Sequence, residues 1–159
     1  MGQLTSGKVP IRFGTYNIRN GRNVGLEAEL WGVSQANMDL GILQKTKLTD
    51  GIYTCGSSGY SIVATDAPSR HCGGVAIFHR PAPHLAVEAV RKYGLNMIGF
   101  QMATGERRWY IMGCYLAPDN ISTIERVVKA LWDPPKVAEL LVAGDLNINP
   151  AAPEGYRRE

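Results

Sequence analysis

The sequence predicts an α/β fold, of the α+β kind, on three observations. An apolar run, a stretch with helical spacing and a second apolar run follow one another over residues 11–44. The middle of the chain is a series of short runs rich in Val, Ile, Tyr and Phe, punctuated by Gly, Pro and Asp. A second helical stretch and a last apolar run complete the pattern. At 159 residues the chain fits one domain with a real core. That domain is expected at residues 11–149, between a flexible polar leader, residues 1–10, and a polar tail, residues 150–159.

Residues 11–18 read as a strand because Ile11, Phe13, Tyr16 and Ile18 are apolar or aromatic, with Gly14 as the weak point. Asn20-Gly21 ends it as a turn. Val24, Leu26, Leu30, Trp31, Val33 and Ala36 recur near helical spacing and predict an amphipathic helix over residues 24–37. Residues 39–44 form a second strand, with Leu40, Ile42 and Leu43 nearly continuous, as in a strand buried on both faces. Strand, helix, strand is a crossover unit, expected to be right-handed. Functional side chains are expected where its strands end, at Asn17 and just past Leu43.

Residues 60–64, 73–79, 86–91, 95–103 and 107–116 are expected as strands of an antiparallel meander completing a sheet. Ala117-Pro118-Asp119-Asn120 caps a predicted helix over residues 121–132, in which Ile121, Ile124, Val127, Val128 and Leu131 keep a 3.6 period, and Asp133-Pro134-Pro135 stops it. Residues 140–146 are the final strand. It delivers Gly144-Asp145-Leu146-Asn147, and residues two apart in a strand share a face. Asp145 and Asn147 would then present a carboxylate beside an amide, a pair suited to a hydrated cation, an attacking water or a phosphoryl oxygen. Gly-Asp-x-Asn is also the signature of an Asx-type turn closing a buried strand, and on spacing alone the turn is favoured.

Composition narrows the classes. Hydrophobic content of 45% and charged content of 19% are those of a globular protein. A net charge of +3 is too small to argue for nucleic acid, though a local phosphate-binding groove fits within it. Cys55, Cys72 and Cys114 lack the spacing of a structural zinc site and read as reduced thiols of an intracellular protein, nuclear or cytoplasmic. No apolar stretch nears the roughly 20 residues of a spanning helix. Residues 1–6 match the permissive N-myristoylation pattern at Gly2, and one acyl chain gives only marginal membrane binding.

Five short motifs occur in order: Thr15-Tyr16-Asn17, Leu43-Gln44-Lys45-Thr46-Lys47, Gly73-Gly74-Val75-Ala76-Ile77, Tyr115-Leu116-Ala117-Pro118 and Gly144-Asp145-Leu146-Asn147. In order and spacing the chain resembles the endonuclease/exonuclease/phosphatase superfamily of metal-dependent phosphodiesterases across residues 11–149. Residues 43–49 and 64–80 look most like endonuclease domains of non-LTR retrotransposons. The resemblance implies a four-layer α/β sandwich of the DNase I-like type, Mg²⁺ as cofactor, DNA as partner and phosphodiester hydrolysis as the reaction. By similarity, Asn17 would bond in the metal site or to the phosphate, Tyr115 would touch the scissile phosphate, and Asp145 and Asn147 would orient the attacking water. Asn17 as a turn residue and Tyr115 as a half-buried aromatic are the plainer readings.

Two departures qualify that implication. Where the family has Gln-Glu-Thr, whose Glu is the principal metal ligand, this chain has Gln44-Lys45-Thr46. An ammonium some 4 Å from a cation repels it by roughly 4 kcal/mol per unit charge at an effective dielectric of about 20, so Mg²⁺ binding is doubtful. Lys45 itself is the alternative counter-charge for a phosphate. Family members also continue to a late Ser-Asp-His motif whose His is the general base. His71, His79 and His84 lie in the meander instead, where surface or packing roles suit them. The expectation is a C-terminally truncated, inactive relative with an incomplete second sheet, which invites self-association. Two alternatives stand beside it. The first is a non-catalytic remnant that binds a protein or nucleic acid, using Arg19 and Arg22 or Arg107-Arg108-Trp109-Tyr110 on phosphates and bases; a solvated turn and strand end explain the same residues. The second is a small-molecule or lipid-phosphate phosphatase of the same superfamily.

Overall fold

Among the described residues, ten strands and one helix follow one another as β1 (Gly2–Ser6), β2 (Val9–Asn17), α1 (Val24–Gln35), β3 (Leu40–Gln44), β4 (Gly51–Cys55), β5 (Tyr60–Ala64), β6 (Val75–His79), β7 (Ala86–Lys92), β8 (Met97–Thr104), β9 (Arg107–Tyr115) and β10 (Glu139–Asp145). The computed structural model describes residues 2–6, 9–18, 24–69, 73–116, 125, 129–131, 134 and 138–146. The strands form two sheets, one of six in the order β1-β2-β3-β6-β5-β4 and one of four in the order β10-β9-β8-β7.

The crossover unit appears as expected. β2 and β3 pair in parallel, Phe13 against Leu40 through Asn17 against Gln44, with α1 between them in sequence. Every residue of β3 is buried, which explains its uninterrupted apolar character. α1 places Leu26, Leu30 and Val33 on the outer face of the first sheet, against Leu43, Ile62 and Phe78. Trp31 falls off that stripe and is 59% exposed. Tyr60 anchors the layer: its ring meets Phe78 edge-on at 5.2 Å, and its hydroxyl donates to the Met38 carbonyl at 2.5 Å.

Between the sheets, Ile11, Phe13, Leu40, Ile42, Val75 and Ile77 of the first pack on Ile98, Phe100, Met102 and Ile111 of the second. On the far side of the second sheet, Met97, Tyr110, Met112 and Cys114 pack with Ala130 and Leu131. Helix, sheet, sheet and outer segment make the four layers of an α/β sandwich. Most of the helix predicted over residues 121–132 lies outside the described residues, as does the tail 150–159.

Three expectations need correction. The meander does not complete one sheet: β4, β5 and β6 join the first, while β7, β8 and β9 build the second. Pro81 and Pro83, between β6 and β7, cannot donate to a ladder and interrupt it there. Within the supposed leader, Gly2–Ser6 is a strand, antiparallel to β2 from Gly2 against Phe13 to Ser6 against Val9. β4 was not foreseen, and it pairs with β5 along its whole length. Both added strands lie at the ends of the first sheet's order, where ladder hydrogen bonds substitute for a strong apolar pattern. Among the described residues, no helix is long and apolar enough to cross a membrane.

Candidate functional site

Two parallel pairs end at one mouth of the sandwich. β2 and β3 bring Asn17 beside Gln44, with Lys45 next, and β9 and β10 bring Tyr115 beside Asp145. Side chains alternate along a strand, so Asn17 continues the inward row of Ile11 and Phe13, and Gln44 that of Leu40 and Ile42. The Asn17 amide donates from Nδ2 to Asp145 Oδ2 at 3.3 Å. Lys45 Nζ lies 3.8 Å from the same oxygen and 5.4 Å from the centre of the Tyr115 ring. The Lys45 and Asp145 side chains are 38% and 25% exposed, so the pair faces solvent on one side only.

Backbone geometry explains how Lys45 gets there. Lys45 has φ of 56° and Lys47 of 54°, left-handed values that non-glycine residues seldom adopt. The surroundings enforce them: the Thr46 and Lys47 amides donate to the carbonyls of Gly74 and Gly73 at 3.3 and 3.1 Å, and the Ile18 amide donates to Gln44 at 3.0 Å. Gly73 and Gly74 are themselves left-handed, at 76° and 85°. A β-carbon on Gly74 would stand 2.6 Å from Oγ1 of the fully buried Thr46. The Gly-Gly motif therefore serves to seat the Lys45 turn.

On the opposite sheet, Gly144 adopts φ of 136°, and its backbone lies so close to β9 that a β-carbon would come within 1.9 Å of the Cys114 carbonyl oxygen. The Leu116 amide then donates to the Asp145 carbonyl at 2.8 Å, extending the pairing by one rung. Beneath the mouth, burial pushes the Cys114 thiol from 9.0 up to about 11, and the Asp145 carboxylate adds to the push. Burial, then the charge and hydrogen bond of Glu27, raise Cys55 equally. An unfolded chain releases these protons near pH 9, whereas the folded one keeps them to about pH 11. The unfolded state thus binds fewer protons in that window, and stability falls as pH rises through it, by at most about 1.4 kcal/mol per pH unit per thiol. Urea midpoints should hold steady from pH 7 to 8.5, drop between 9 and 10.5, and drop less in Cys55→Ala/Cys114→Ala. A midpoint that is level to pH 10.5 contradicts the assignment.

The donor set does not fit a hard divalent cation. Such ions require several oxygen ligands, with carboxylates prominent. Here one carboxylate and one amide face an ammonium, and among the described residues no three His, Cys, Asp or Glu side chains are placed to hold a metal ion.

The structure gathers Asn17, Lys45, Tyr115 and Asp145. Asn147, expected beside them, lies outside the described residues, as do Arg19, Arg22, His71 and Cys72. Arg107 and Arg108 begin β9, at the opposite end of that strand from Tyr115 and roughly 26 Å away at ~3.3 Å per residue. Arg107 pairs with Glu139 at 3.0 Å and lies over the Trp109 ring at 5.7 Å. His79 is distant too: it ends β6 opposite Leu40, at the far end of the first sheet, where burial lowers its pKa. Two further residues of the mouth were given no role of their own in the sequence. Gln44 is buried with its Nε2 lacking a partner among the described residues, and Asn96 links the two sheets.

No family model matches the chain, and no curated protein matches it. Solved structures do. The endonuclease domain of TRAS1, a telomere-specific non-LTR retrotransposon, superposes with a TM-score of 0.67 at 17% identity, over 89% of this chain and 63% of that one. The D. rerio TDP2 complexed with single-strand DNA product gives 0.61 at 15% identity, over 89% and 62%. An AP endonuclease from Archaeoglobus fulgidus gives 0.61 at 18% identity, over 88% and 58%. The chain spans about three fifths of the length of each.

Proposed function

We propose that this chain, whose fold is that of the endonuclease/exonuclease/phosphatase superfamily, is a retrotransposon-type relative of the DNA endonucleases that has exchanged its metal site for an internal ion pair and does not cleave phosphodiesters with Mg²⁺. The observation that carries the reading is the position of Lys45 Nζ, 3.8 Å from Asp145 and 5.4 Å over Tyr115. An ammonium supplies one fixed positive charge. It offers no coordination sites, so it cannot polarise a phosphoryl oxygen and deliver a water from one template as a divalent ion does. Asn17 and Asp145 remain as hydrogen-bonding groups at the mouth, and Tyr115 as a wall. Purified protein incubated with supercoiled plasmid and Mg²⁺ should leave the plasmid intact over hours. Nicking that disappears in Asp145→Ala would overturn the reading.

A second reading, retention of a nucleic-acid surface, draws on the DNA-processing neighbours of the same fold. Arg107 is a weak contributor to it, since Glu139 already neutralises its charge. Binding to DNA that weakens steeply with salt supports this reading, and salt-insensitive or absent binding removes it.

A further inference from the structure

The two halves of the mouth belong to different sheets. Asn17 and Lys45 ride on the first, Tyr115 and Asp145 on the second, and most of what holds the sheets in register is apolar packing. Apolar contact is non-directional, so it fixes the spacing of the sheets better than the placement of one polar atom against another. At this end of the sandwich Asn96 adds directional bonds to those of Asn17 with Asp145 and Thr65 with Leu95. We propose that Asn96 is a positioning residue that sets Lys45 against Tyr115 and Asp145.

Asn96 stands immediately before β8. Its side-chain Oδ1 accepts from the Gly74 amide at 2.9 Å, and its backbone carbonyl accepts from the Tyr115 amide at 2.9 Å. The residue before it is pinned as well, because the hydroxyl of the buried Thr65 donates to the Leu95 carbonyl at 2.6 Å. The Gly74 carbonyl in turn accepts from the Thr46 amide, next to Lys45. A continuous path therefore runs from the Tyr115 amide through both oxygens of Asn96 to Gly74 and on to the Lys45 turn. Little slack is left in it: a β-carbon on Gly73 would lie 2.9 Å from Asn96 Oδ1. Only an acceptor at that reach makes the link, so Asp keeps it and Ala loses it.

The inference rests on the proposed function only for the choice of these residues as the site, and its test uses neither metal nor DNA. In the full chain with ¹³C-labelled lysine, the Lys45 ε-methylene should show an aromatic ring-current shift from Tyr115. Asn96→Ala should move that signal at least halfway to its random-coil position and speed exchange of the Gly74 amide at least tenfold. Asn96→Asp should retain both. Tyr60→Phe, which removes a hydrogen bond on the far face of the first sheet, should lower stability and leave the Lys45 signal in place. An unmoved Lys45 signal in Asn96→Ala overturns the proposal, as does an equal displacement in Tyr60→Phe or a failure of Asp to rescue. If Asn96→Ala does not fold, the wild type still decides, since a Gly74 amide exchanging within tenfold of the exposed Gly56 rules the link out. Plasmid nicking by the wild type would end the proposed function and leave this result standing.

Discussion

On the proposed reading, Lys45→Glu is expected to create a dependence on divalent cations. In the wild type the ammonium offsets Asp145, and the pair's partial exposure limits its worth to about 1 kcal/mol. The substitution removes that attraction and adds a repulsion of similar size, so the variant in EDTA should lose about 2 kcal/mol, or roughly 4–8 °C in Tm. The left-handed backbone at this position is as unfavourable for Glu as for Lys, and that cost cancels. Two carboxylates and the Asn17 amide would then face one point, a start on the donor set a hard cation takes. Mg²⁺ at 100 times its Kd would return about 2.7 kcal/mol. Thermal unfolding with EDTA and with 10 mM MgCl₂ reads both effects. A wild-type Tm that rises several degrees in Mg²⁺ would show a cation bound in spite of Lys45.

Gly144→Ala should have the largest effect on folding. The new methyl would meet the Cys114 carbonyl oxygen at 1.9 Å and the Cys114 carbon and nitrogen at 2.9 and 3.0 Å. All three are backbone atoms, so no rotamer change relieves the clash, and φ of 136° is foreign to an L side chain besides. Either β10 separates from β9 or both strands shift. The expected loss is at least ~4 kcal/mol, a large part of the stability of a typical domain. Asp145→Ala, one residue on, removes only a partly exposed carboxylate and should cost about 1 kcal/mol. Urea denaturation of the two variants side by side gives the comparison, and equal midpoints would mean that the strands do not approach so closely.

What was legible in the sequence follows from how each feature is encoded. β3, β5, β6 and β9 announce themselves because buried strands need apolar residues at successive or alternate positions, and the observed spans differ from the expected ones by two residues or fewer. Alternation reports which faces are buried but not which sheet a strand joins, so the division at Pro81 and Pro83 emerged only in three dimensions. β1 and β4 escaped notice because an end strand is held by ladder bonds that any sequence can make. At the site, Asn17 and Asp145 were legible as polar groups at strand ends, and Lys45 and Tyr115 only through the family resemblance. Their convergence depends on the packing of two sheets whose partners are far apart in sequence. Asn96 was illegible for a different reason: its bonds go to backbone amides, and any Asn before a strand looks the same. The pairing of Arg107 with Glu139 was equally hidden, since it follows from the parallel register of β9 and β10.

The bond from Asn17 to Asp145 closes a loop of 128 residues. On a ribosome adding about 5–20 residues per second, Asn17 waits roughly 6 to 26 s for its partner to be made. The first sheet can be paired by the time His79 emerges, and its row of Ile11, Phe13, Leu40, Ile42, Val75 and Ile77 then faces water. For those seconds the nascent chain displays an apolar strand surface beside an unneutralised Lys45, the kind of surface that draws chaperones or other nascent chains. The ion pair at the mouth forms only when the second sheet docks, which makes it a marker of that docking.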